Sequence, residues 1–164
     1  MSNLRAPFFA ITLSVLAVPV TAQEFTYGVG FADFQESDGQ DTGVFDLEYR
    51  HKPFFQRGRF SSAIGANTSI TAEVDAFAGI GLWNRVQFEN GMFFESSIMP
   101  GLYEEGTSDN DLGSTFVFRG QGALGYTFDG GRAISAAVSR KSNFNFGDGD
   151  QTQLTYSIRY RIPL

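Results

Sequence analysis

Late in the chain, Arg140-Lys141-Ser142-Asn143 sets two cations, a hydroxyl and an amide side by side. Upstream, Ile134, Ala136 and Val138 occupy alternate positions in phase with Arg140 and Ser142, so on a strand all five side chains point the same way. A polar group at the end of such an apolar face is expensive deep in hydrocarbon and tolerable near its interface. Two uses would place it there. An enzyme acting on a lipid needs its reactive side chain on the surface the lipid touches. Alternatively, Arg140 and Lys141 anchor that surface by reaching anionic head groups, and Ser142 and Asn143 simply begin a loop.

Little else in the sequence offers chemistry. The single histidine, His51, ends an earlier strand-like segment and reads as a surface residue. Gln151 and Gln153 can hold a water but are not bases. Asp109-Asn110-Asp111 and Asp148-Gly149-Asp150 offer oxygen ligands to a hard cation, or only keep their loops solvated. The absence of cysteine removes disulfides and thiolate metal sites, and no Walker, dinucleotide or zinc pattern is present, so no cofactor is expected. A formal charge of −6 with no basic patch argues against nucleic acid as a partner.

The elements that must carry the polar cluster are strands. In the last segment Leu154, Tyr156, Ile158, Tyr160, Ile162 and Leu164 alternate with Gln153, Thr155, Ser157, Arg159, Arg161 and Pro163. From Glu24 onward eight such segments follow one another: about 24–34, 43–52, 58–68, 72–88, 92–104, 114–128, 132–142 and 153–164. Pro53 closes the second, Glu89-Asn90-Gly91 forms a tight hairpin, and Asp129-Gly130-Gly131 a short turn. The third connection, near Ser69, reads as brief. Long polar connections at 35–43, 105–113 and 143–150 alternate with short ones, the asymmetry of outer-membrane barrels.

The second face of these segments is ionic. Glu48, Arg50, Asp75, Arg85, Glu95, Arg119 and Arg159 all oppose apolar positions, and across a small closed sheet they can pair with one another. A soluble barrel would instead turn its apolar face inward. Before the first strand, Arg5, the apolar stretch Phe8 to Val20 and the small residues Val20-Thr21-Ala22 read as a cleaved leader over residues 1–22. The sequence thus predicts an all-β chain: a leader, then an eight-stranded antiparallel transmembrane β-barrel over 23–164 in a bacterial outer membrane. No signal in it fixes an oligomeric state.

Residues 113–164 resemble the lipid A 3-O-deacylase family, through Arg140-Lys141-Ser142-Asn143, the Gly/Asp-rich stretch after it and the closing Tyr160-Arg161-Ile162-Pro163-Leu164. That family carries His-x-Ser-Asn at the end of strand seven and an acidic residue on strand eight, a triad on the outside of the barrel. The resemblance implies lipid A, the lipid of lipopolysaccharide, as partner and hydrolysis of its 3-O ester-linked acyl chain as reaction. It puts Ser142 at the nucleophile and Asn143 at the oxyanion site. Arg140 falls where the histidine base belongs, and Leu154 where the acid belongs. Arginine stays protonated and leucine has no polar atom, so two readings stay open: a deacylase, or a barrel that binds lipopolysaccharide without cleaving it.

Overall fold

The computed structural model describes residues 24–34, 41–106, 110–143 and 152–164. The expected leader, 1–22, lies outside them. The strands are β1 (Glu24–Phe34), β2 (Thr42–Arg50), β3 (Phe55–Arg57), β4 (Phe60–Thr71), β5 (Ala76–Gln87), β6 (Met92–Glu104), β7 (Phe116–Thr127), β8 (Ala133–Ser142) and β9 (Thr152–Pro163). Neighbours along the sheet are antiparallel, and two pairings close it. β9 returns to β1, from Glu24↔Pro163 to Phe34↔Gln153, and β2 pairs with β4 from Val44↔Thr71 to Arg50↔Gly65. The three-residue β3 pairs with β4 beyond the end of β2, leaving eight strands to form the wall.

Period-two patterning decides which face is which. Outward positions carry Val29, Ile80, Leu102, Leu124 and Ile158, with Val29 62% and Ile80 65% exposed. Such a continuous apolar exterior is unsuited to water and suited to hydrocarbon. Aromatics mark its borders: Phe54, Phe55, Phe60, Phe88, Tyr126 and Phe128 near the short turns, Phe31, Phe45 and Phe116 near the longer loops. The soluble alternative fails because the charged side chains are inside.

There they pair as the sequence predicts. Arg119 Nη2 donates to Glu48 Oε1 at 3.0 Å, and Arg159 pairs with the other Glu48 oxygen. Arg50 Nη1 and Arg85 Nε reach Glu95 Oε1 at 2.8 and 2.6 Å, and Arg85 also grips both oxygens of Glu24 at 3.0 Å. Trp83, buried among them, has the guanidinium carbons of Arg50 and Arg159 at 5.5 and 5.3 Å from its ring centroid. Towards the longer loops the lumen turns apolar, with Ala32, Phe34, Val44, Phe77, Tyr103, Leu112 and Val117 packed together. Beyond β6, Asn110 and Leu112 close over this plug, both fully buried, with Tyr103 Oη donating to Asn110 O at 2.7 Å.

The third connection falls elsewhere than expected. β4 runs past Ser69 to Thr71, and β5 begins at Ala76, so Glu73 to Asp75 are not strand residues. Asp75 N donates to Thr71 Oγ1 at 2.9 Å and the hydroxyl returns a bond to Asp75 Oδ2 at 2.7 Å, bending the chain with Val74 at φ +70°. Asp75 is therefore no member of the mid-barrel ion network. It accepts from Asn110 Nδ2 and Gly106 N, holding these two residues at the mouth.

Candidate functional site on the outer face of β8

The ladder fixes which side chains stand beside one another at the loop end of β8. One outward row reads Gly120 on β7, Arg140 on β8, Leu154 on β9 and Asp33 on β1. The next, nearer the loops, reads Phe118, Ser142 and Thr152. Arg140 and Leu154, chosen from the sequence as the base and acid positions of one site, are thus direct cross-strand partners. Adjacent strands lie ~4.8 Å apart, so the charges of Arg140 and Asp33 flank Leu154 from roughly 10 Å apart at their Cα atoms. Asp33 escaped the sequence reading, although it shares its phase with Tyr27, Val29 and Phe31 and that signal was available.

Exposure separates the cluster. Arg140 is exposed and Leu154 half-buried, whereas Ser142 is 5% exposed and Asn143 fully buried. Of the two cations, only Arg140 is exposed on the outer face. Lys141 points into the lumen, is buried, donates from Nζ to Gln153 Oε1 at 2.6 Å and lies 5.4 Å from the Phe77 ring centroid. Gln153 is accordingly on the opposite side of the sheet wall from Ser142, and Gln151 lies outside the described residues.

Below the Arg140–Leu154 row the outer wall is recessed. Gly122 and Ala136 supply little or no side chain, while Phe31, Phe94, Leu124, Val138 and Tyr156 border the hollow, an apolar groove of about 600 Å³. A Cβ added at Gly120 or Gly122 would meet no atom within 4 Å. A polar rim and an apolar trough thus adjoin on one surface.

The remaining candidates lie apart. His51 follows β2 at the opposite end of the barrel, exposed, with Nδ1 3.3 Å from Tyr49 Oη. Asp109 and Asp148 to Asp150 lie outside the described residues, and Asn110 is turned inward onto Asp75. Among the described residues no group of three His, Cys, Asp or Glu side chains is placed to hold a metal ion. At the rim, Glu105 is held above the usual carboxylate range by desolvation first, and then by the neighbouring Asp111 carboxyl.

A family model described as lipid A 3-O-deacylase (PagL) matches residues 43–148, a span that includes β8 and the whole Arg140–Asn143 cluster. The chain belongs to the lipid A 3-O-deacylase family. Its barrel is similar to the crystal structure of the outer membrane enzyme PagL, with 19% identity, a TM-score of 0.72, and 86% of this chain and 99% of that one covered. Neisserial surface protein A follows at 9% identity and TM-score 0.56, covering 86% of this chain and 96% of its own. A de novo designed transmembrane barrel reaches TM-score 0.52 at 8% identity, covering 85% and 96%, so likeness of that size reports the architecture. No curated protein matches the sequence. Within the lipid A 3-O-deacylase family, this member is an eight-stranded outer-membrane barrel with a guanidinium and an isobutyl group on neighbouring outward positions of β8 and β9.

Proposed function

We propose that this barrel holds lipid A of lipopolysaccharide against the outer face of β7, β8 and β9 and does not cleave it by the family's serine mechanism. The observation that carries this reading is the exposed Arg140 facing Leu154 across the ladder. A serine attacks an ester only when a base takes its proton and a third group orients that base. A guanidinium cannot accept a proton, and an alkyl side chain orients nothing. The same guanidinium presents a planar fork of donors suited to a phosphate or carboxylate. The apolar groove beside it fits acyl chains, and the near-complete burial of Ser142 and Asn143 suits a supporting role better than attack. Lipid A combines the anionic head group and acyl chains this surface asks for.

Mass spectrometry of lipid A from cells expressing the protein tests the proposal. The expected spectrum retains every acyl chain, while purified barrel carries lipid A that Arg140→Ala loses by roughly tenfold or more, as for a hydrogen bond to a charged group worth ~1.5–3 kcal/mol. Loss of one hydroxyacyl chain in the wild type, abolished by Ser142→Ala, would show instead that the family reaction survives. Arg140→His with Leu154→Glu restores the family's residue types, and gain of deacylation in that double variant is the expected complement. We also propose that residues 1–22 are a leader removed before Gln23, which the intact mass of the membrane-inserted form reads directly.

A further inference from the structure

The lumen holds more cations than carboxylates. Among the described residues, Arg50, Arg85, Arg119, Lys141, Arg159 and Arg161 face inward along the strands, against Glu24, Asp46, Glu48 and Glu95, with Asp75 buried at the mouth. The carboxylates concentrate towards the short-turn half, around Glu95 and Glu24. In the other half Arg119 and Lys141 are direct cross-strand partners, both inward and both almost fully buried. Like charges in that relation repel, and burial removes the water that would screen them. Arg119 reaches Glu48 at 3.0 Å and Asp46 at 3.7 Å, both through Nη2, and Lys141 has no carboxylate within ion-pair distance among the described residues.

The polar atoms left over here are almost all donors. Arg119 Nε and Nη1, Gln121 Nε2, Gln153 Nε2 and the Thr155 hydroxyl are buried without hydrogen-bond partners. Register sets them together: Arg119, Lys141 and Gln153 form one inward row across β7, β8 and β9, and Gln121, Ser139 and Thr155 the row beside it. The acceptor oxygens of the two glutamines are already taken, Gln121 Oε1 by Arg119 and Gln153 Oε1 by Lys141, so their amide N–H groups remain. A buried donor without an acceptor forfeits its hydrogen bond to water, and a buried unneutralised cation forfeits more.

We propose that one small inorganic anion of halide size sits inside the barrel between Lys141, Arg119, Gln121 and Gln153. It neutralises the cation pair and accepts the orphaned donors. Strands ~4.8 Å apart put these donors in two adjacent inward rows, within side-chain reach of a single small ion. The site lies on the inner side of β8, so it is independent of lipid A binding on the outer side.

Anomalous diffraction at the bromine edge, from crystals of the refolded full-length mature chain grown in sodium bromide, tests it. The expected result is a bromide peak in contact with Lys141 Nζ and Gln153 Nε2. No lumen peak, or peaks on exposed residues alone, meaning an adventitious ion only, would overturn it. Lys141→Met removes one charge of the pair at similar length, and the lumen peak should vanish; a peak at unchanged occupancy overturns the assignment. Should that variant not refold, Gln153→Leu deletes one donor and should lower the occupancy. In solution, replacing gluconate by bromide at fixed ionic strength should raise the unfolding midpoint of the wild type, read by Trp83 fluorescence, and leave the Lys141→Met midpoint unmoved; equal responses would also overturn the proposal.

Discussion

Glu48 holds two buried guanidinium groups at once, since one oxygen accepts from Arg119 and the other pairs with Arg159. Glu48→Gln keeps the shape and removes the charge, leaving two buried guanidinium groups short of a counter-ion. Breaking a buried pair in this way costs about 3–5 kcal/mol. Urea unfolding followed through Trp83, the chain's one tryptophan and a neighbour of Arg159, should show a loss of that order. The exposed pair of Arg59 and Glu89 provides the contrast: Glu89→Gln should change stability by less than about 1 kcal/mol. Equal effects of the two would mean that the lumen is far wetter than its burial indicates. At this scale the sequence was legible where alternation alone decides a side chain's direction, as for Glu48, Arg119 and Arg159. It was misleading at Lys141, where chemical kinship with Arg140 suggested a shared task although the two residues' opposite phase already separated them.

Among the elements, β1 and β9 approach closely at Gly30, as β5 and β6 do at Gly81. A Cβ on Gly30 would stand 2.1 Å from Tyr156 O and 2.8 Å from Ser157 Cα, both backbone atoms of the partner strand. Gly30→Ala must therefore part the seam or shift it, and should destabilise the barrel by roughly 1–3 kcal/mol as overpacking does. Gly122→Ala, into open space on the outer wall, should instead be neutral or stabilise by about 0.5 kcal/mol through the unfolded chain. Denaturant midpoints of the two variants check the difference, and matched losses would refute the close approach. Strand existence and phase were readable because each segment keeps one apolar and one polar face. The bend between β4 and β5 was not, because Thr71 to Asp75 contains no Gly, Pro or Asn and turns through a side chain-to-backbone bond between Thr71 and Asp75 that composition does not announce. Of the candidate site, the family resemblance pointed to Arg140, Ser142 and Leu154, while the burial of Ser142 and the presence of Asp33 two strands away depend on how four strands are laid beside one another.

As a whole the molecule is a cylinder with an ionic middle and an apolar stopper. The plug of Phe34, Phe77, Tyr103, Leu112 and Val117, with Asn110 drawn over it by Asp75, fills the loop end of the lumen among the described residues. Planar-bilayer recordings of the purified barrel should accordingly show no steady conductance at moderate voltage, and discrete open levels would contradict the packed lumen.

The wall is completed by its first strand meeting its last, with Phe25 across from Ile162 and Phe31 across from Tyr156. Contacts so distant along the chain form late, after the greatest loss of loop entropy. Until β9 arrives, β1 and β8 each present a bare edge rich in apolar side chains, the most adhesive surface a polypeptide can offer. Export of this protein must consequently be a race between sealing and sticking, one in which the carboxyl-terminal dozen residues decide whether a cell gains a membrane protein or a deposit.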